Sequence, residues 1–162
     1  MPAEWEHQEG VWLSWPKDQD TFPDLIAVEQ AYIRIIGEIS RYENVHLLVS
    51  NEDIAHYVSD IFRDERIKTE HLKLHQIDYA DVWFRDYGPS FITRRRDSSL
   101  AMVDWTFNAW GNKYPGLLQD DRIPSVMNEE LNIPRFIPGI VLEGGSIDVN
   151  GCGTVLTTEQ CL

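Results

Sequence analysis

The sequence predicts an α/β fold, and three observations carry that prediction. Apolar runs of strand length alternate along the chain with segments whose apolar residues recur at helical spacing. The alternation continues from end to end instead of separating into an all-strand and an all-helix part. With 43% hydrophobic and 25% charged residues in 162, the chain has enough apolar material for a packed core of roughly one domain.

The first predicted strand is Gly10 to Trp15, where Val11, Trp12 and Leu13 form an apolar run stopped by Pro16, a residue with no ladder donor. A helix follows, with Leu25, Val28, Tyr32, Ile35, Ile36, Ile39 and Tyr42 on one face and Thr21 with Asp24 as its capping pair. Val45 to Val49 is the next strand. Ser50 and Asp53 repeat the capping pattern before a helix striped by Ile54, Tyr57, Val58, Ile61 and Phe62 and ending near Asp64. From Glu70 the residues alternate, with Leu72, Leu74 and Gln76 on an inner face and His71, Lys73 and His75 on a solvated one.

Two strands, Ser90 to Arg94 and Leu100 to Trp105, flank a basic and polar turn and predict an antiparallel pair. A Gly- and Asn-rich loop, Asn108 to Gly116, leads to a helix expected over Asp121 to Leu131. Short strands are expected at Phe136 to Pro138, Ile147 to Asn150 and Thr154 to Leu156. Thr157 and Gln160 then offer a capping box to a further helix, with only two residues after it. The expectation is an incomplete single catalytic domain over residues 1–162, continued in a longer chain.

Lys and Arg number 14 against 27 Asp and Glu, and the net charge of −13 disfavours nucleic acid and anionic lipid as partners while suiting a cationic ligand. No apolar run approaches the ~18 residues of a spanning helix, so no membrane partner is expected. The opening Met1 to His7 has neither a basic region nor an apolar signal segment, which makes a cytoplasmic setting the default. Cys152 and Cys161, nine apart and without Cys-x-x-Cys spacing, read as reduced thiols and not as a disulfide scaffold or zinc ribbon.

Two stretches carry candidate chemistry. In Asp81-Val82-Trp83-Phe84-Arg85-Asp86-Tyr87-Gly88-Pro89-Ser90 a carboxylate stands among aromatics and an Arg before Gly-Pro ends the strand. Asp86 there is either a buried, ionised carboxylate aimed at a cation, with Trp83 or Phe84 as an apolar or cation–π wall, or the ion-pair partner of Arg85 at a turn. In Val141-Leu142-Glu143-Gly144-Gly145-Ser146 a carboxylate precedes two glycines, which either present Glu143 at the lip of a cleft or make an ordinary turn. Together, Asp86 and Glu143 could serve acid/base work on a sugar or clamp a guanidinium.

Five ordered motifs add a resemblance: Met1-Pro2-Ala3-Glu4-Trp5-Glu6, Trp12-Leu13-Ser14-Trp15-Pro16, Trp83-Phe84-Arg85-Asp86-Tyr87-Gly88-Pro89, Phe107-Asn108-Ala109-Trp110-Gly111 with Lys113-Tyr114, and Leu142-Glu143-Gly144-Gly145-Ser146. The chain resembles, over essentially all its length, the agmatine deiminases, grouped with bacterial-type peptidylarginine deiminases in the guanidino-group-modifying superfamily. The resemblance implies a fivefold pseudo-symmetric α/β propeller, of which this chain would form the first two to three units. It also implies deimination of agmatine through a covalent thiouronium, with no metal or organic cofactor and a small cationic guanidino substrate as partner. Peptidylarginine deimination and a non-catalytic binding homologue stay as alternatives, and homo-oligomerisation is left open.

By that resemblance Asp86 and Glu143 hold the guanidinium and Trp83 walls the substrate channel. Members of the family are about twice this long, and their His-x-Asp motif and nucleophilic Cys lie in the second half. Neither has a counterpart among these residues, and family members usually carry a few residues before the Met1 motif. Residues 1–162 alone are therefore expected to be inactive.

Overall fold

The computed structural model describes residues 1–161, which divide into two compact units, Gln8–Phe84 on the one hand and Met1–His7 with Arg85–Leu162 on the other. The Gln8–Phe84 unit alternates strands β1 (Gly10–Ser14), β2 (Asn44–Val49) and β3 (Leu72–Gln76) with helices α1 (Leu25–Ile39) and α2 (Glu52–Asp64). The strands form a parallel sheet in the order β1-β2-β3, with Leu13 opposite Leu47 and Leu47 opposite Leu74.

Because side chains alternate across a strand, this register puts Leu13, Val45, Leu47, Val49, Leu72 and Leu74 on one face, and both helices cover it. Ile36, Val58 and Phe62 are fully buried against Val45, Leu47 and Val49, and Trp15 closes the end of the cluster with its ring edge-on to Phe62. The α1 stripe is only partly as the periodicity predicts. Ile33 joins Tyr32, Ile36 and Ile39 in the cluster, whereas Ile35 is 49% exposed and Tyr42 is 83% exposed. An apolar stripe wider than the contact leaves one edge outside, and spacing alone does not say which.

Both expected caps are displaced by a few residues. Asp24 itself caps α1 by accepting from the Ala27 N–H at 3.1 Å, and Asn51 caps α2 by accepting from the Ile54 N–H at 3.0 Å. Thr21 instead contacts Asp18 and, 60 residues away, Asp81.

The solvated face expected for β3 is also corrected at one residue. His71 and Lys73 are exposed, but His75 is only 5% exposed. Trp12 stacks on His46 with ring centroids 4.4 Å apart and lies 4.6 Å from the His75 ring, and His46 Nδ1 and His75 Nε2 are 2.9 Å apart. Phe84 lies parallel to Trp12 at 6.0 Å. Ring contacts with Trp12 and His46 bury His75 on the polar face, so alternation does not by itself mean contact with water.

In the other unit, β4 (Ser90–Thr93) and β5 (Leu100–Val103) form the predicted antiparallel pair. Arg94 and Asp97 close its turn through a side-chain ion pair at 2.5 Å. β6 (Arg135–Phe136) adds to β5 in parallel, and Thr106 bridges to Val141. Three helical segments accompany them, α3 (Phe84–Tyr87), α4 (Ala109–Asn112) and α5 (Ile123–Leu131). A 3-10 segment, Pro115–Arg122, occupies part of the stretch ahead of α5. The hairpin of β7 (Asp148–Val149) and β8 (Val155–Leu156) ends the described fold, and the helix expected after Thr157 does not form within residues 157–161. Thr157 Oγ1 donates instead to the Ser146 carbonyl at 2.8 Å.

The burial of α1 and α2 sets a clear contrast. Phe62→Ala should lower unfolding free energy by about 3–5 kcal/mol through lost transfer energy and a residual cavity. Ile35→Ala should stay within about 0.5 kcal/mol of the parent chain. Urea unfolding followed by circular dichroism measures both, and equal losses would mean that α1 packs through its other edge.

Candidate active site

The stretch around Asp86 is not a strand end. Phe84–Tyr87 make a single helical turn, α3, and β4 begins at Ser90, directly after Gly88 and Pro89. Tyr87 is buried and packs edge-on to Phe107, with ring centroids 6.0 Å apart, which anchors the turn from below. Asp86 is thereby held on a fixed backbone.

The two stretches singled out in the sequence meet at this turn. The Gly145 N–H donates to Asp86 Oδ1 at 3.2 Å. A Cβ on Gly144 would stand 2.3 Å from the Arg85 carbonyl oxygen, and one on Gly145 would stand 2.3 Å from Asp86 Oδ1. Both distances are far inside van der Waals contact, so the glycines are needed to admit α3 and the Asp86 side chain themselves. Glu143 sits just before this pair in extended backbone, φ −88° and ψ 137°, and is half-buried. Its carbonyl accepts from the Ser146 N–H at 3.0 Å and from Ser146 Oγ at 2.6 Å, which locks the 3-10 turn Gly144–Ser146 that follows.

Arg85 is not the ion-pair partner of Asp86. Its guanidinium pairs with the carboxylate of Glu4. The indole N–H of Trp110 donates to Asp86 instead, a contact that the local sequence around neither residue reveals. Burial holds the Asp86 carboxyl above its ordinary range, and the N–H donors of Gly145 and Trp110, followed by the charge of Arg85, pull the other way.

Trp110 reaches Asp86 from an unusual backbone. Ala109, Trp110, Gly111 and Asn112 have φ of 52°, 54°, 75° and 62°, four successive residues in the left-handed region. Asn112 N–H to the Asn108 carbonyl at 2.6 Å and Lys113 N–H to the Ala109 carbonyl at 3.1 Å close α4 as a left-handed turn. The Asn108 side chain caps it by accepting from the Gly111 N–H at 2.7 Å. Rings of Phe107 and Tyr114 stand edge-on to Trp110 at 5.4 and 5.7 Å.

Trp83 lies in the Gln8–Phe84 unit. Its indole N–H donates at 2.9 Å to Asp81, a fully buried carboxylate that also accepts from the Val82 N–H at 2.8 Å and from Thr21 Oγ1 at 2.9 Å. The ring is thus oriented from its polar edge and remains 39% exposed. Cys152 and Cys161 are both exposed thiols. Among the described residues no group of three or more His, Cys, Asp or Glu is placed to hold a metal ion, and no helix is long and apolar enough to cross a membrane.

Residues 1–162 match the Porphyromonas-type peptidyl-arginine deiminase family throughout. The chain belongs to that family. Among its relatives, the agmatine deiminase of Medicago truncatula is 36% identical and that of Stutzerimonas stutzeri 38% identical, each over the whole of this chain. The chain spans 45% and 44% of the length of those two relatives. The solved C. jejuni agmatine deiminase superposes on 99% of the chain with a TM-score of 0.78 at 30% identity, covering 45% of that enzyme. Its cysteine-to-serine variant with substrate bound superposes with a TM-score of 0.80 at 33% identity, over 96% of this chain and 44% of the enzyme. The mixed α/β class is therefore shared with these deiminases.

The upward shift of Asp86 makes a stability prediction for this family member. The folded state holds the Asp86 proton more tightly than the unfolded state, whose value is near 3.8. The stabilisation from that proton is complete below the unfolded value and lost as pH rises through the folded one. At pH 7 the fold carries an ionised, half-buried carboxylate, so Asp86→Asn should melt at the same temperature as the parent or higher, and this advantage should vanish as pH falls below the ordinary carboxylate range. Thermal melts of both proteins across pH check this; a variant that melts lower at pH 7 would make Asp86 a structural residue.

Proposed function

We propose that this chain supplies the guanidinium-holding part of an agmatine deiminase, with Asp86 and Glu143 as the carboxylates that bind the guanidinium and Trp83 as a wall of the channel. The observation that carries the reading is the state of Asp86: half-buried, raised in pKa by burial, aimed by two N–H donors, and not neutralised by the neighbouring Arg85, which Glu4 occupies. A carboxylate kept in that state at a cost to the fold suits a cationic partner brought from outside. The names of the relatives support agmatine as that cation.

A planar guanidinium offers paired N–H donors, which a carboxylate accepts in bidentate fashion, fixing the central carbon for attack on the face of its plane. In the proposed reaction a cysteine thiolate adds to that carbon, and the C–N bond breaks with a proton passing to the departing ammonia. Water then adds to the thiouronium, a His takes its proton, the C–S bond breaks, and N-carbamoylputrescine leaves. The thiolate and the His belong to the remainder of a deiminase of the relatives' length, within a fivefold propeller of which this incomplete domain forms two to three units. Use in polyamine synthesis in the cytoplasm accords with this reading.

Agmatine carries two positive charges and no carboxylate, which fits a chain with a net charge of −13 and no unengaged Arg in the candidate motifs. A chimaera in which residues 1–162 replace the matching segment of the C. jejuni enzyme tests the assignment. Asp86→Asn should lower turnover by roughly two to four decades, the consequence of leaving a desolvated cation unpaired at about 3–5 kcal/mol. A variant within tenfold of the parent would remove Asp86 from the site. Residues 1–162 alone should release no ammonia from agmatine, because no thiolate and His pair stands in the family's catalytic context. In the chimaera kcat/KM should favour agmatine over arginine and over an arginine peptide; equal use of the peptide would support peptidylarginine deimination.

A further inference from the structure

We propose that Trp110, held by the left-handed turn Ala109–Asn112, is the positioning residue that aims the Asp86 carboxylate at a guanidinium. The inference rests on the functional reading of Asp86 given above and adds to it a residue that acts through Asp86 and not on the substrate.

The backbone supplies the first ground. A left-handed turn is costly for each residue with a Cβ, which crowds the following carbonyl oxygen, and such positions ordinarily fall to Gly or Asn. Here Gly111 and Asn112 occupy two of the four places, but Ala109 and Trp110 occupy the others. A large aromatic in that region is strained, and strain persists only where the surroundings over-determine it. Those surroundings are visible. Ala109 is fully buried and Phe107 is 3% exposed. The Phe107 N–H is held by Asp121 Oδ1 at 2.6 Å, and Asn108 caps the turn from within.

The second ground is where the strain sends the side chain. Edge-on contacts with Phe107 and Tyr114 fix the indole ring, and its single N–H points to the Asp86 carboxylate. The Gly145 N–H reaches the same carboxylate from the Gly144–Ser146 turn. Two donors from two separate turns leave the carboxylate little rotational freedom and favour its charged form, while burial opposes that charge. An indole is suited to this task because it donates once, accepts nothing and brings no charge that would compete with a guanidinium.

The test removes the N–H while keeping the ring. Trp110→Phe retains an aromatic face, and replacement by 3-benzothienylalanine retains the full indole shape with sulfur in place of N–H, so a change shared by both cannot come from lost packing. Carboxyl carbon NMR titration of the 162-residue chain should show the Asp86 midpoint moving up in both variants, with the Asp97 midpoint unmoved. In the chimaera with the C. jejuni enzyme, kcat/KM for agmatine should fall at least tenfold and the acid limb of its pH profile should shift upward with the Asp86 midpoint. On an Asp86→Asn background neither Trp110 change should cost further activity. An Asp86 midpoint and acid limb that stay at their parental positions in both variants overturn the inference. The titration requires no turnover, so it decides the role of Trp110 even if Asp86→Asn stays within tenfold of the parent and the functional reading fails.

Discussion

The close approach of Gly144 and Gly145 to Arg85 and Asp86 is the constraint on which the rest of the candidate site depends. A side chain at either glycine would occupy the space now filled by the α3 carbonyl or by the Asp86 carboxylate. With both present, the Glu143 segment and α3 come within hydrogen-bond distance although 59 residues separate Gly145 from Asp86. The segment that follows Glu143 and the turn that carries Asp86, far apart in sequence, are thus brought together at the level of the backbone.

Asp81 and Asp86, one in each unit, are carboxylates of contrasting surroundings. Asp81 is fully buried and accepts from a backbone N–H, a hydroxyl and the Trp83 indole, so it serves to orient an aromatic ring. Asp86 is half-buried and receives two N–H groups, and its neighbouring Arg is engaged by Glu4. A carboxylate satisfied on all sides is a structural element. One held from one side and half-buried carries a charge that burial penalises.

Strain follows the same division. The left-handed run lies beside Asp86, in the segment Asn108–Lys113, whereas the parallel sheet unit is built from ordinary helices and strands whose core is apolar on the covered face. Regular elements hold the framework, and an irregular turn places the Trp110 side chain, which touches the carboxylate from outside its own segment. On the second face of the sheet Trp12, His46 and His75 form a polar cluster of stacked rings. With a separation of 2.9 Å between their ring nitrogens, one histidine must donate and the other accept, so at least one of them is neutral.

Sequence alone determined the α/β class, the order of the strands and helices in the Gln8–Phe84 unit, the β4–β5 pair and its turn, because each rests on local periodicity or on a local stop such as Pro16. It also singled out Asp86 and Glu143, since a carboxylate beside aromatics or before Gly-Gly is a visible local oddity. What it left undecided needed a third dimension. Which edge of the α1 stripe meets the sheet, whether His75 faces water, and whether Arg85 turns to Asp86 or to Glu4 depend on partners distant in sequence. The role of Gly144 and Gly145 belongs to the same class: the pair is legible as permissive backbone, but the object it admits, the Asp86 side chain, is 58 or 59 residues away and becomes known only when the chain has folded around it.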